Sequence, residues 1–91
     1  MVYEVRIDSV AKRVLKKLAQ SDYRAIERDI DALAVNPRPN GVVELSNTRY
    51  EQYRIRSGSK GDFRIIYTVH DTILLVNVVR IDRRKDVYRK R

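Results

Sequence analysis

The chain has 91 residues, 20 of them Lys or Arg and 12 Asp or Glu, for a formal net charge of +8 and a pI near 10.1. Folded units usually run to roughly 100 to 200 residues, so a second unit or a separate cofactor-binding fold is excluded and one domain over residues 1–91 is expected. Cysteine is absent, which excludes disulfide staples, thiolate nucleophiles and Cys-based zinc sites.

Tyr3, Val5 and Ile7 alternate with Glu4, Arg6 and Asp8, the period of a half-buried strand. The period then changes. Ser9 is placed to cap a helix with Val10, Val14, Leu15 and Leu18 on one face, and Lys12, Arg13, Lys16 and Lys17 on the others. Ser21 is placed to cap a second helix, whose stripe is Tyr23, Ile26, Ile30, Leu33 and Ala34 and whose end is Asn36-Pro37. Asn36 to Gly41 is dense in turn formers, and Val42 to Tyr50 reads as an irregular connection.

Three β-rich runs follow: Tyr53 to Ser57, Phe63 to Val69 and Ile73 to Ile81. The gaps between them, residues 58–62 and 70–72, are short enough to force antiparallel neighbours, hence a meander. The third run is apolar on both faces for most of its length, as in a central strand under helices. Arg83 to Arg91 is a short basic tail. The class is therefore α+β: an N-terminal strand, two antiparallel helices, a three-stranded antiparallel meander and the tail. The helices should cover one face of the sheet and leave the other for a ligand. No apolar run is long enough to span a bilayer and the N-terminus lacks a signal-type apolar core, so a soluble cytoplasmic protein with no membrane partner is expected.

The charge is uneven. Residues 1–48 carry 8 basic and 7 acidic side chains, a net of +1, whereas residues 49–91 carry 12 basic and 5 acidic, a net of +7. A one-sided positive field attracts polyanions, of which nucleic acid is the commonest in a cytoplasm.

Several enzyme signatures fail. With three glycines in all, there is no P-loop and no dinucleotide fingerprint. Ser9-Val10-Ala11-Lys12 spells S-x-x-K without its companion motifs and reads as a helix start. The one histidine, His70, sits in a predicted hairpin turn and cannot make a metal site alone. What remains is cationic. Strand alternation puts Arg54 and Arg56 on one face, opposite Tyr53 and Ile55, and Arg64 interrupts the apolar run of the next strand. An unpaired Arg there is costly unless it reaches solvent or an anion. With a regular hairpin register the three guanidiniums converge, and Arg80, Arg83, Arg84 and Lys85 can add to the same side, with Tyr88 close behind. Such a cluster suits the binding of a phosphodiester and stabilisation of a pentacoordinate phosphorane, the RNA's own 2′-hydroxyl being the nucleophile and no cofactor being needed. It equally suits a binding module that positions phosphates, or surface pairing to Asp62, Asp82 and Asp86.

The order of elements, with Tyr53-Arg54-Ile55-Arg56-Ser57-Gly58, Gly61-Asp62-Phe63-Arg64-Ile65-Ile66-Tyr67 and Arg83-Arg84-Lys85-Asp86-Val87-Tyr88-Arg89, resembles the RelE toxins of the RelE/ParE superfamily across essentially the whole chain. The resemblance implies a type II toxin of a toxin-antitoxin pair, a ribosome-dependent, metal-independent endoribonuclease that cuts mRNA in the A site. On that resemblance Arg54, Arg56, Arg64, Arg84 and Tyr88 are the catalytic candidates. Arg64 would contact the scissile phosphate, Arg84 assist the leaving group, and Tyr88 stack on or orient the nucleotide. Arg80, Arg83, Lys85, Arg89 and Lys90 would bind RNA or the ribosome. The best-known relative has lysine at the two positions held here by Arg54 and Arg56; guanidinium is a poor proton acceptor, so charge stabilisation is their expected role, the alternatives for the base being Tyr88 as a phenolate or no single strong base, with ribosomal positioning supplying much of the rate. The implied partners are the ribosome, mRNA and an antitoxin encoded next to the toxin, whose complex can bind operator DNA. Two other functions compete: a ParE-like gyrase inhibitor of the same fold, and an RNA-binding protein without catalysis.

Overall fold

The computed structural model describes residues 2–45 and 51–83. Five strands and two helices follow in the order β1 (Glu4–Ile7), α1 (Ser9–Lys16), α2 (Gln20–Val35), β2 (Val43–Leu45), β3 (Glu51–Ser57), β4 (Phe63–His70) and β5 (Leu75–Arg83). They build one sheet in the order β1-β5-β4-β3-β2. The expected meander is there as β3, β4 and β5, and two strands extend it. β1 pairs in parallel with β5, which makes β5 a central strand, and β2 pairs antiparallel with β3. The α+β class holds, but β2 corrects the reading of residues 42–50 as irregular: Val43, Glu44 and Leu45 lie in register with Arg54, Tyr53 and Gln52.

Both helices start earlier than expected, α1 by one residue and α2 by two. The N-caps are Asp8 and Ala19, neither with a side-chain capping bond, and Ser9 and Ser21 lie inside the helices. Ser21 is followed by Asp22, whose carboxylate is taken up by a distant loop. The α1 stripe is also rotated, since Ala11 and Leu15, four residues apart, are buried while Val10 is 53% exposed. In α2, Ala25, Ile26, Ile30 and Leu33 are buried and Tyr23 lies at the margin. These stripes pack on the sheet face formed by Tyr53, Ile55, Phe63, Ile65, Tyr67, Val69, Val76, Val78 and Ile81. No helix among the described residues is long and apolar enough to cross a membrane.

A register shift decides what the opposite face carries. Val78 pairs with Tyr67 and Arg80 with Ile66, so Val79 is an extra residue in β5. Strict alternation from Val76 and Val78 would send Arg80 into the core and Ile81 out. The bulge reverses this: Ile81 is buried at 3% exposure and Arg80 is exposed. Beyond it, Ile66, Arg64, Arg80 and Asp82 share the face away from the helices.

Candidate functional site

The β3–β4 hairpin places the arginines. Its register sets Arg56 opposite Arg64 and Arg54 opposite Ile66, with Tyr53, Ile55 and Ser57 buried on the other side. Like charges facing each other across an antiparallel pair are destabilising, and none of the three arginines has an ion-pair partner among the described residues. Together they line a hollow of about 110 Å³ whose remaining wall is Gly41, Val43 and Ile55. The short strand missed by sequence thus closes one side of the site; the apolar-acidic-apolar pattern of Val43-Glu44-Leu45 was its only signal.

The turn joining the two strands shapes Arg56. Gly58 and Gly61 both adopt positive φ, +98° and +70°, and the Gly61 N–H donates to the Gly58 carbonyl at 3.2 Å. The aliphatic stem of Arg56 lies over Gly61, where an added Cβ would sit 3.6 Å from Cδ. At Gly58 an added Cβ would come within 2.7 Å of the Phe63 ring, so this position admits no side chain without movement. Two α2 carboxylates hold the turn from the helix side. Asp22 Oδ1 accepts from the Ser59 N–H at 3.0 Å and the Ser59 hydroxyl at 2.8 Å, bonds that lower its pKa below the ordinary aspartate value. Asp29 Oδ2 accepts from the buried Ser57 hydroxyl at 2.6 Å.

Other expected site residues divide. Arg80 stands on the same face as Arg54, Arg56 and Arg64, but its Nε lies 3.3 Å from Asp82 Oδ2. That pairing occupies the carboxylate whose backbone stands in register with Arg64. Arg83 is in register with Phe63 and its guanidinium lies 4.7 Å from the Phe63 ring centroid, on the helix side of the sheet. It therefore sits across the sheet from the other arginines rather than beside them, a consequence of alternation from Ile81. Arg84, Lys85, Tyr88, Arg89 and Lys90 lie outside the described residues. His70 ends β4 instead of occupying the turn, with Nε2 2.9 Å from Thr68 Oγ1.

A second polar cluster gave no warning in the sequence. Arg38, between two prolines, donates from Nε to Tyr53 Oη at 2.8 Å, from Nη2 to Asp71 Oδ2 at 2.8 Å, and from Nη2 to Glu51. Tyr53 donates to Glu51 at 2.9 Å and Tyr3 to Asp71 at 2.5 Å. The guanidinium holds both carboxyls below their ordinary range, and they in turn raise the pKa of Arg38. Next to it, the Tyr67 hydroxyl donates to the Pro37 carbonyl at 2.7 Å, and burial pushes that phenol's pKa up. The loop that leads to Gly41 and Val43 is fixed from both sides.

Three guanidiniums lining one hollow, with no carboxylate paired to them among the described residues, form an arrangement suited to an anion. A family model described as the ParE toxin of the type II toxin-antitoxin system, parDE, matches residues 5–88. Among solved structures, the archaeal RelE–RelB complex from Pyrococcus horikoshii OT3 is similar at a TM-score of 0.78 and 27% identity, covering 92% of this chain and 97% of that one. The toxin-antitoxin complex RelBE2 from Mycobacterium tuberculosis is similar at 0.75 and 24%, covering 92% and 93%. The isolated E. coli RelE toxin is similar at 0.75 and 22%, covering 94% and 90%. No curated protein sequence matches the chain.

Proposed function

The chain belongs to the ParE toxin family of type II toxin-antitoxin systems, within the RelE/ParE superfamily, and from that premise we propose that it is a ribosome-dependent mRNA endoribonuclease that stops translation. The observation that carries this reading is the hollow lined by Arg54, Arg56 and Arg64, with two guanidiniums opposed across the strands and no carboxylate paired to any of the three among the described residues. A scissile phosphodiester fills that role. The 2′-hydroxyl oxygen attacks the adjacent phosphorus, the bond to the 5′-oxygen breaks, and a 2′,3′-cyclic phosphate and a free 5′-hydroxyl result. Arginine donors aimed at the phosphorane oxygens stabilise charge that exists only in the transition state. The proton leaves the 2′-hydroxyl and one returns to the departing 5′-oxygen; the resemblance gives the second step to Arg84, and we assign the first to Tyr88 because a guanidinium is a poor proton acceptor. Much of the remaining rate comes from the ribosome holding the substrate in line.

The partners follow. The RelE proteins of Pyrococcus horikoshii and Mycobacterium tuberculosis are seen in toxin-antitoxin complexes, and we assign this chain a cognate antitoxin encoded beside it. Its place of action is the cytoplasm, with the translating ribosome. Gyrase inhibition is the second reading, favoured by the ParE description of the family model. Brief expression from a tight promoter separates the two. Under our reading, mRNA 5′ ends accumulate inside translated codons and disappear with Arg64→Ala. DNA cleavage complexes with intact mRNA would establish gyrase as the target instead, and neither signal would leave a non-catalytic binder.

A further inference from the structure

Beside the arginine hollow, between the C-terminal half of α2 and β3, runs a groove of about 630 Å³. We propose that it is a nucleobase subsite, so that the protein takes one nucleotide as a unit, phosphate in the hollow and base in the groove. The inference rests on the reading that the arginines bind a phosphodiester.

Three observations carry it. First, hollow and groove share a wall: Gly41, Ile55 and Arg56 line both. β2 pairs only with Gln52 to Arg54, so on the edge of β3 away from β4 no strand among the described residues lies alongside Ile55 to Ser57 to separate the two spaces. Second, the sizes are complementary. The hollow, about 110 Å³, admits a phosphate but not a nucleoside, while 630 Å³ falls within the roughly 300–1,000 Å³ of small-molecule sites. Third, the lining has the right chemistry. Leu33, Val35, Pro39 and Ile55 offer an apolar surface, and Val35 is left 72% exposed. Asp29, Asn36 and Asn40 supply a few polar groups at the same groove. Asn36 Oδ1 accepts from the Arg38 N–H at 3.1 Å, while its side-chain nitrogen makes no hydrogen bond among the described residues. A flat base with a polar pairing edge matches such a surface, and splayed single-stranded bases are read in this way. Arg56, common to both spaces, can meet the phosphate edge-on and offer its plane to the base.

The test is titration of the protein, followed by backbone and arginine side-chain NMR, with inorganic phosphate, the four nucleoside 3′-monophosphates and the matching nucleosides. We expect at least one nucleotide to bind about tenfold or more tightly than phosphate, with shifts at Ala32, Val35 and Asn40. Ala32 lines the groove from the exposed side of α2, so Ala32→Phe should fill the groove, abolish that gain and leave phosphate binding unchanged; Asn40→Ala should reduce the gain for some bases more than others. Nucleotides binding no tighter than phosphate, or a gain that survives both variants, would overturn the subsite while leaving the phosphate reading intact. If neither phosphate nor nucleotide shifts Arg54, Arg56 or Arg64, the anion site itself falls, and the subsite with it. Groove shifts that appear only when the co-expressed antitoxin is bound would assign the groove to a protein segment and also overturn the proposal.

Discussion

Arg56 and Arg64 face each other across β3 and β4, an arrangement of like charges that costs the free protein stability. Arg64→Ala should therefore leave the melting temperature unchanged or raise it, the relief of one like-charge pair being worth about 0.2–1 kcal/mol, while cleavage falls about 100-fold or more. Thermal melts beside single-turnover cleavage check the two halves. A residue of purely structural importance would show the opposite pattern. The turn glycines separate in the same way. Gly58→Ala meets both a positive φ and the Phe63 ring, whereas Gly61→Ala meets only the positive φ and the stem of Arg56. Backbone strain of this kind costs about 1–3 kcal/mol, and denaturant unfolding should show Gly58→Ala as the more damaging of the two. At this scale much of the candidate site was legible: period-2 alternation alone put Arg54 and Arg56 on one face. Arg80 and Arg83 were not legible in the same way, because the Val79 bulge inverts the alternation between the residues before it and those after.

Between elements, the hairpin is held from below by α2 and the loop at residues 36–41 from the side by Arg38. Asp71 and Glu51 titrate below the usual carboxylate range, chiefly because Arg38 bonds to each of them, with Tyr3 and Tyr53 adding to the effect. For a lowered carboxyl pKa, the stabilisation is fully present above the ordinary value of about 4 and is lost as pH falls through the lowered one. Arg38→Ala should accordingly depress the melting temperature most near neutral pH, and the gap from the parent protein should narrow as pH falls from about 5 to about 3. A gap that stays constant across that range would mean that Arg38 acts through packing rather than through its carboxylate partners. Helix and strand existence was legible from hydrophobic period; this cluster was not, because Arg38 meets partners 13 and 33 residues away that nothing local connects. β2 escaped for a related reason, since three residues are too short a run for alternation to register, and its identity as a strand comes from β3 alongside it.

Over the whole molecule, the +7 carried by residues 49–91 falls on the meander and the chain beyond it, while the helices and first strand are nearly neutral. Binding of nucleic acid by cationic side chains releases counterions, so under the proposed function affinity for RNA or for the ribosome should fall linearly in log–log terms with salt. Replacing Arg54 by alanine should reduce that slope by about 1 if its guanidinium meets a phosphate, and binding isotherms at several salt concentrations measure this. The fold class and the direction of the charge were legible in the sequence; the five-stranded sheet, with β1 parallel to β5, was not, because that pairing joins the two ends of the described chain. We propose that this small basic toxin cuts mRNA on the ribosome, and incubation of the purified protein with ribosomes programmed with a defined mRNA, and with the same mRNA free, decides it. The expected result is a single cut at the A-site codon leaving a 2′,3′-cyclic phosphate, no cut in free RNA, and loss of the product with Arg64→Ala; intact mRNA on saturated ribosomes, with gyrase inhibited at the same protein concentration, would overturn the ribonuclease reading.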